Sequence, residues 1–304
     1  MRIYKSGDVI DGKKTSVALG TFDGLHIAHM RLVSKAEELA KKSGTMFGVM
    51  FFSSIPANNF KEDKTPYIIT AKEKIELLGN ADFVYIENFS KNFYEMNTDE
   101  FTDYIEKVLN AKYVCVGYNY RFAKGASGDA ELLKELCGKR GIEVHIIDKT
   151  ELDGECVSST KIRSLISDGD VKRARKFLGR RFFVGGRVGC GFQNGRKIGF
   201  PTANVEFDIN HIIPKPGVYS GSCAVCGGEH TAVINVGNNP TFGGKKTTIE
   251  AHILDFSRDI YNENITVYFN DRIREEKKFS SVEELKRQIE KDIIKCRKDM
   301  NENE

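Results

Sequence analysis

A chain of 304 residues, 40% of them hydrophobic, has the length and the apolar material for two consecutive domains. A formal net charge of +3 leaves it close to neutral, which gives no case for nucleic acid or an anionic membrane surface as partner. Met1 to Lys5 has no apolar targeting core, no stretch approaches a membrane span, and seven scattered cysteines fit reduced thiols, so a cytoplasmic protein is expected.

Residues 1–181 alternate strand and helix signals. Val17-Ala18-Leu19 is a short apolar run ending at Gly20, as a buried parallel strand would end. A helical pattern follows, with apolar positions at Leu32, Val33, Ala36, Leu39 and Ala40 and Gly44 as its terminator. Met46 to Phe52 reads as the next strand. Thr98 is placed to cap a helix whose face is Phe101, Tyr104, Ile105, Val108 and Leu109. Tyr113 to Val116 and Val144 to Ile147 give two more strands. Alternation of this kind predicts a doubly wound α/β sheet with a parallel core, which binds ligands at the C-terminal ends of its strands.

Residues 170–181 are strongly basic but carry few aromatic residues for base stacking, and read as a solvated helical face at a domain junction. From Phe182 the pattern changes to short β-rich segments: 182–188, 218–225, 231–236, 247–254 and 264–269. Gly, Asn and Pro clusters separate them, which predicts a small antiparallel β-barrel over residues 182–304. One helix closes the chain, with Ser281 as cap, Glu284 completing a capping box, and a stripe of Leu285, Ile289, Ile293 and Cys296. Cys223 and Cys226 lie on a strand with no second such pair, so packed thiols are expected rather than a zinc site.

The most informative segment is Gly199-Phe200-Pro201-Thr202-Ala203-Asn204, after the glycine-rich run Gly189 to Arg196 that includes Gly195. Glycines allow the backbone to approach phosphate, and Thr202 and Asn204 offer neutral oxygens suited to Mg²⁺. A glycine-rich loop alone is equally an ordinary turn. The Pro-Thr-Ala-Asn run is more specific and resembles the signature of riboflavin kinase. Pro216 to Tyr219, Asn235 to Phe242, Ile249 to Phe256, Arg258 to Tyr261, and Ile273-Arg274 with Lys277 to Phe279 match further blocks of that module in order. Upstream, Gly20 to His29 is similar to the nucleotidyltransferase motif of FAD synthetase. The whole chain resembles the bacterial bifunctional riboflavin kinase/FAD synthetases.

The resemblance implies an FMN adenylyltransferase domain at 1–181 and a riboflavin kinase domain at 182–304, with ATP, riboflavin and FMN as substrates and Mg²⁺ as cofactor. In the first domain it implies phosphate binding by Gly20, Phe22, Asp23 and Gly24, and by Ser158, Ser159 and Thr160, with Arg163 as clamp. It places Asn119 near the flavin phosphate. His26 and His29, three apart on a first helical turn, can face one ligand and supply donors to adenylyl transfer. On residue type alone these histidines are equally metal ligands or surface residues, Ser158 to Thr160 an N-cap, and Asp23 a turn residue. In the second domain Gly195, Gly199, Thr202 and Asn204 are expected at ATP and Mg²⁺. Glu250 is the expected base, although a strand glutamate is ordinarily solvent-exposed. Asp255 and Arg274 are expected to border the flavin.

Two positions depart from the family pattern: Ala28 stands between the histidines in place of glycine, and Ser53-Ser54 replaces part of a Phe-Asp-Pro-His-Pro-like run. The second departure points to a slowed FAD-forming step or an altered loop. It leaves open a riboflavin kinase with a weakened first module. A non-catalytic flavin or nucleotide binder is a further alternative.

Overall fold

The computed structural model describes residues 1–190, 195, 198–241 and 244–301, with backbone only for 238–241 and 244–246. Gly191 to Asn194 and Arg196 of the glycine-rich run lie outside the described residues. The chain divides into two compact units, Met1–Ser159 and Thr160–Glu304.

The first unit contains β1 (Arg2–Lys5), β2 (Thr15–Leu19), α1 (Ile27–Ser43), β3 (Met46–Phe52), α2 (Ala71–Leu77), β4 (Phe83–Glu87), the single turn α3 (Lys91–Tyr94), α4 (Thr98–Lys107) and β5 (Ala111–Gly117). A small ribbon of β6 (Arg121–Phe122) and β7 (Gly128–Asp129) leads to α5 (Ala130–Gly138) and β8 (Glu143–Ile147). A second ribbon, β9 (Glu151–Leu152) and β10 (Glu155–Cys156), ends the unit. Six strands form one sheet in the order β1-β4-β3-β2-β5-β8, all pairs parallel. β2 is buried at all five positions; the chain goes on to β3 on one side of it and later to β5 on the other, so the strand order reverses between β2 and β5. That reversal opens a crevice at their C-terminal ends.

Local sequence explains the helix limits. Gly44 ends α1 in the left-handed region at φ 70°, which costs glycine no Cβ clash. The cap of α4 is Asn97 rather than Thr98. Its side chain accepts the N–H groups of Asp99 and Glu100, while Glu100 accepts the N–H of Asn97 at 2.8 Å. This reciprocal box satisfies donors on both sides of the turn, which a cap at Thr98 would not.

The second unit begins with α6 (Ser159–Asp168, sharing its first residue with the other unit) and α7 (Val171–Leu178). It continues with β11 (Phe182–Gly189), β12 (Ala203–Phe207), β13 (Gly217–Val225), β14 (Gly228–Thr241), β15 (Gly244–Ile253), β16 (Asn264–Arg274) and α8 (Val282–Asn301). The six strands close into an antiparallel barrel in the order β11-β12-β15-β14-β13-β16. Five were expected; the sixth, β12, begins inside the Pro-Thr-Ala-Asn run. Its alternation, with Ala203 and Val205 buried and Glu206 exposed, is too short to stand out beside Pro201. The basic segment is not simply a solvated face. Asp170 caps α7, and Val171, Ala174, Phe177 and Leu178 are buried while Arg175 donates to Asn270 and Lys172 pairs with Asp271. On α8, Ser281 accepts the N–H of Glu284 at 3.1 Å, but the Glu284 carboxylate reaches Ser280 instead of completing the box on Ser281.

Two candidate phosphate-handling sites

In the first unit a cavity of about 750 Å³ opens where the strand order reverses, with Gly20 after β2 and Gly117 at the end of β5 on its wall. Gly20, Phe22, His26, His29, Asn119, Ser158 and Ser159 all line it. Its other end is aromatic, with Phe52, Phe60, Phe89, Phe93 and Phe122 among the lining. Residue pattern had not marked these rings, because their sequence separation is large and each also reads as core.

The turn between β2 and α1 is unusual. Phe22 and Leu25 hold left-handed conformations at φ 50° and 40°, together with Gly24 at 88°. Such conformations persist in non-glycine residues only where surroundings enforce them. Here Asp23 is buried and its Oδ1 accepts the N–H of Ile68 at 2.9 Å, while its carbonyl accepts the Ser159 hydroxyl at 2.7 Å. The turn delivers His26 as the cap of α1, with Nδ1 accepting the N–H of His29 at 3.3 Å. An accepting Nδ1 puts the ring proton of His26 on Nε2. The rings of His26 and His29 stack with centroids 3.6 Å apart and planes 13° from parallel. The two histidines thus form one block at the head of a helix, where N–H groups and the helix dipole favour a bound anion.

Ser53 and Ser54 are absent from the cavity lining, which takes Phe52, Pro56 and Phe60 from that loop. Ser53 instead donates to the Asn88 side chain at 2.9 Å, and Pro56 opens a short 3₁₀ turn ending at Phe60. Thr160 and Arg163 lie on α6, in the second unit. Lys74 was not marked by the sequence: it is buried on α2, with its Nζ donating to the Thr21 carbonyl at 2.8 Å.

In the second unit the ladder places Asn204 of β12 opposite Glu250 of β15, and Glu250 opposite Asn235 of β14. Paired residues project to the same side, so three polar groups form one row across three strands. Ile249 and Ala251, on either side of Glu250, face the opposite side of the strand and are buried; Ala251 lines the cavity described next, and Glu250 does not. The Thr202 hydroxyl hydrogen-bonds the Glu250 carboxyl; burial nonetheless holds that carboxyl above the usual carboxylate range. Gly199 makes the preceding turn at φ 90°, and a Cβ on Gly195 would collide with the Phe200 carbonyl beside Thr202. His252, two residues on from Glu250, donates from Nδ1 to the Pro201 carbonyl at 2.7 Å and meets the Phe200 ring edge-on. Thr202 and Asn204 open onto a cavity of about 310 Å³ that also takes Phe256, Arg258 and Tyr261.

Asp255 and Arg274 are not among the residues that line this cavity. Arg274 makes a two-pronged pair with Asp292 of α8, whose side chain is 3% exposed, at 2.8–3.0 Å. Asp255 accepts both bonds of Arg297, also on α8, at 2.8 and 2.9 Å. Both residues fasten the closing helix to the barrel.

A family model described as FAD synthetase matches residues 10–161, and one described as riboflavin kinase matches residues 178–300. A bifunctional riboflavin kinase/FMN adenylyltransferase of Bacillus subtilis (strain 168) is 34% identical over 288 residues, covering 92% of this chain and 90% of its own. The protein so described from Escherichia coli (strain K12) is 33% identical over 286 residues, covering 92% and 91%. A crystal structure described as a macrolide-efflux protein from Streptococcus pneumoniae is similar with TM-score 0.90 at 32% identity, over 98% of this chain and 99% of its own. Among the described residues of this chain, no helix is long and apolar enough to cross a membrane. The chain belongs to the bifunctional riboflavin kinase/FMN adenylyltransferase family, with a FAD synthetase domain followed by a riboflavin kinase domain, and serves two-step flavin cofactor biosynthesis.

Proposed function

We propose that each unit carries one of the two steps, with the residues divided between them as follows. In the second unit the ribityl hydroxyl of riboflavin attacks the γ-phosphorus of ATP, giving FMN and ADP. Glu250 orients the hydroxyl and accepts its proton. The donor set fits a hard cation: a hydroxyl at Thr202 and an amide oxygen at Asn204, beside a carboxylate and a glycine whose missing Cβ leaves room. Mg²⁺ bound there would neutralise phosphate charge; the protein's own part is to position the two reactants.

In the first unit a phosphate oxygen of FMN attacks the α-phosphorus of a second ATP, and pyrophosphate leaves. His26 and His29 supply donors to the phosphate charge, Gly20 and Gly24 keep the backbone low, and Ser158 and Ser159 hold the leaving phosphates. Asn119 meets the flavin phosphate, and the aromatic end of the cavity receives the isoalloxazine ring. Thr160 and Arg163 are assigned to the leaving phosphates on the Ser-Ser-Thr-Lys-Ile-Arg motif. Seven cysteines without a disulfide fit a cytoplasmic setting.

The observation that carries this reading is the stacked histidine pair in the wall of an aromatic-lined cavity, in a unit separate from the Thr202–Asn204–Glu250 row. Chromatography of products from riboflavin, ATP and Mg²⁺ tests it. FMN followed by FAD is expected. FMN alone would favour a kinase with a weakened first unit, and no product would favour a binding protein.

A further inference from the structure

We propose that Lys74 is a positioning residue for adenylyl transfer: its buried ammonium holds the Thr21 carbonyl and thereby the turn that presents His26 and His29. The inference rests on the assignment of those histidines to the reaction. Lys74 is 5% exposed and reaches from α2 to the carbonyl of Thr21; Thr21 lines the cavity and Lys74 does not. The Phe51 ring of β3 lies 5.0 Å from its Nζ, and the charge facing it is Asp23 in the turn. Glu73, the acidic neighbour on α2, is turned to the N–H and hydroxyl of Thr70.

A charge in this place has a cost and a use. Desolvation lowers the Lys74 ammonium to about 8, against the pull of Asp23. The folded value lies below the unfolded one, so the cost to stability is complete below about 8 and is relieved as pH rises from there toward the ordinary lysine range. A residue kept only for stability would be better neutral at pH 7. Its use lies in what it holds: Phe22 and Leu25, one and four residues beyond Thr21, are left-handed, and His26 follows directly. A charged donor on the Thr21 carbonyl counters the tendency of that turn to relax.

The experiment is FMN adenylylation by the full chain across pH 6.5–9.5, about the range set by the lowered lysine, with riboflavin phosphorylation in the same samples as control. Lys74→Met should lose about 10²-fold in FAD formation, the scale of a misplaced reacting group. Its kinase rate should hold, and the first unit should melt no lower at neutral pH. Wild-type adenylylation should fall as pH rises through about 8, approaching the Lys74→Met rate. Lys74→Arg, charged throughout, should lack that limb. A wild-type rate in Lys74→Met, or a wild-type curve flat through this range, would overturn the inference. His26→Ala run alongside separates the two ideas: if it too keeps FAD formation, the site assignment fails; if it alone is inactive, only the role of Lys74 fails.

Discussion

The two units hold phosphate-handling groups by different physical means. The first uses a bent turn between a strand and a helix. Two non-glycine residues sit in left-handed backbone, each at a cost of about 1–3 kcal/mol, and buried polar bonds from Asp23 and Lys74 enforce the shape. The second uses regular pairing: Asn204, Glu250 and Asn235 are aligned because neighbouring antiparallel strands align them, with no strained residue among the three. A strained turn depends on its surroundings and breaks when a remote anchor is lost. A ladder depends on the strands themselves and is sensitive mainly to the residues in the row.

The largest effect expected concerns what the second unit needs in order to fold. A fragment of 182–304 keeps the barrel, the Thr202–Asn204–Glu250 row and α8, but removes α7 together with α6. Val171, Phe177 and Leu178 of α7 are at most 2% exposed, and these three side chains alone account for about 4–9 kcal/mol. That is comparable with the whole stability of a domain. A fragment of 160–304 should phosphorylate riboflavin and melt well above 182–304 in calorimetry. Equal melting of the two would show that the ladder stands without α6 and α7 and that the boundary belongs at 181/182.

Next comes the row itself. Glu250→Gln keeps size and hydrogen bonding but removes the base, a loss of about 10²–10⁴ in rate. Riboflavin should remain unphosphorylated while added FMN is still converted to FAD. Stability should not fall. A carboxyl whose folded value is raised contributes stability below the unfolded value and loses it as pH rises through the folded one, so above that folded value its removal should not lower stability. Kinase turnover at the wild-type rate with intact folding would remove Glu250 from the mechanism.

His26→Ala breaks the other side of the comparison. It takes away a ring donor and the N-cap of α1 together, so FAD formation should fall about 10²–10³-fold, the scale of a lost donor in acyl-transfer sites. FMN should accumulate. Replacement by Asn restores the cap but not the ring, so recovery of stability without recovery of rate would separate the two roles. Recovery of both would reduce His26 to a cap.

The difference between turn and ladder also decides what could be read in the sequence. The parallel sheet was legible from apolar runs such as Val17-Ala18-Leu19, and α1 from its apolar spacing and Gly44. Within the barrel the strand carrying Asn204 went unread, since Pro201 and the glycines before it conceal a five-residue alternation. Glu250 was legible as a residue facing away from the core, whereas its alignment with Asn235 depends on strand order, which no local pattern encodes. Arg274 and Asp255 were expected beside the flavin; their ion pairs with Asp292 and Arg297 of α8, 18 and 42 residues away in the chain, depend on where the fold returns that helix. Lys74 left no signal at all, because a lysine on a helix is ordinarily solvated and only the fold places the Thr21 carbonyl above it.

The smallest effect expected is the most specific to the ladder. His252 lies on the same strand face as Glu250, and its bond to the Pro201 carbonyl ties the start of β12 to β15 just before Thr202. A carbonyl only accepts, so Nδ1 must carry the proton. Losing one such bond is worth about 0.5–1.5 kcal/mol, which would appear as roughly a two- to tenfold loss in riboflavin phosphorylation by His252→Ala if Thr202 drifts. His252→Asn can place an amide N–H near the position of Nδ1 and should restore most of the rate; a purely steric role for the ring against Phe200 would not be restored this way. FAD formation from added FMN should be unchanged in both variants, since His252 belongs to the other unit. If His252→Ala phosphorylates riboflavin at the wild-type rate, pairing of the strands alone suffices to position Thr202, and the ladder is more self-sufficient than the Pro201 contact suggests.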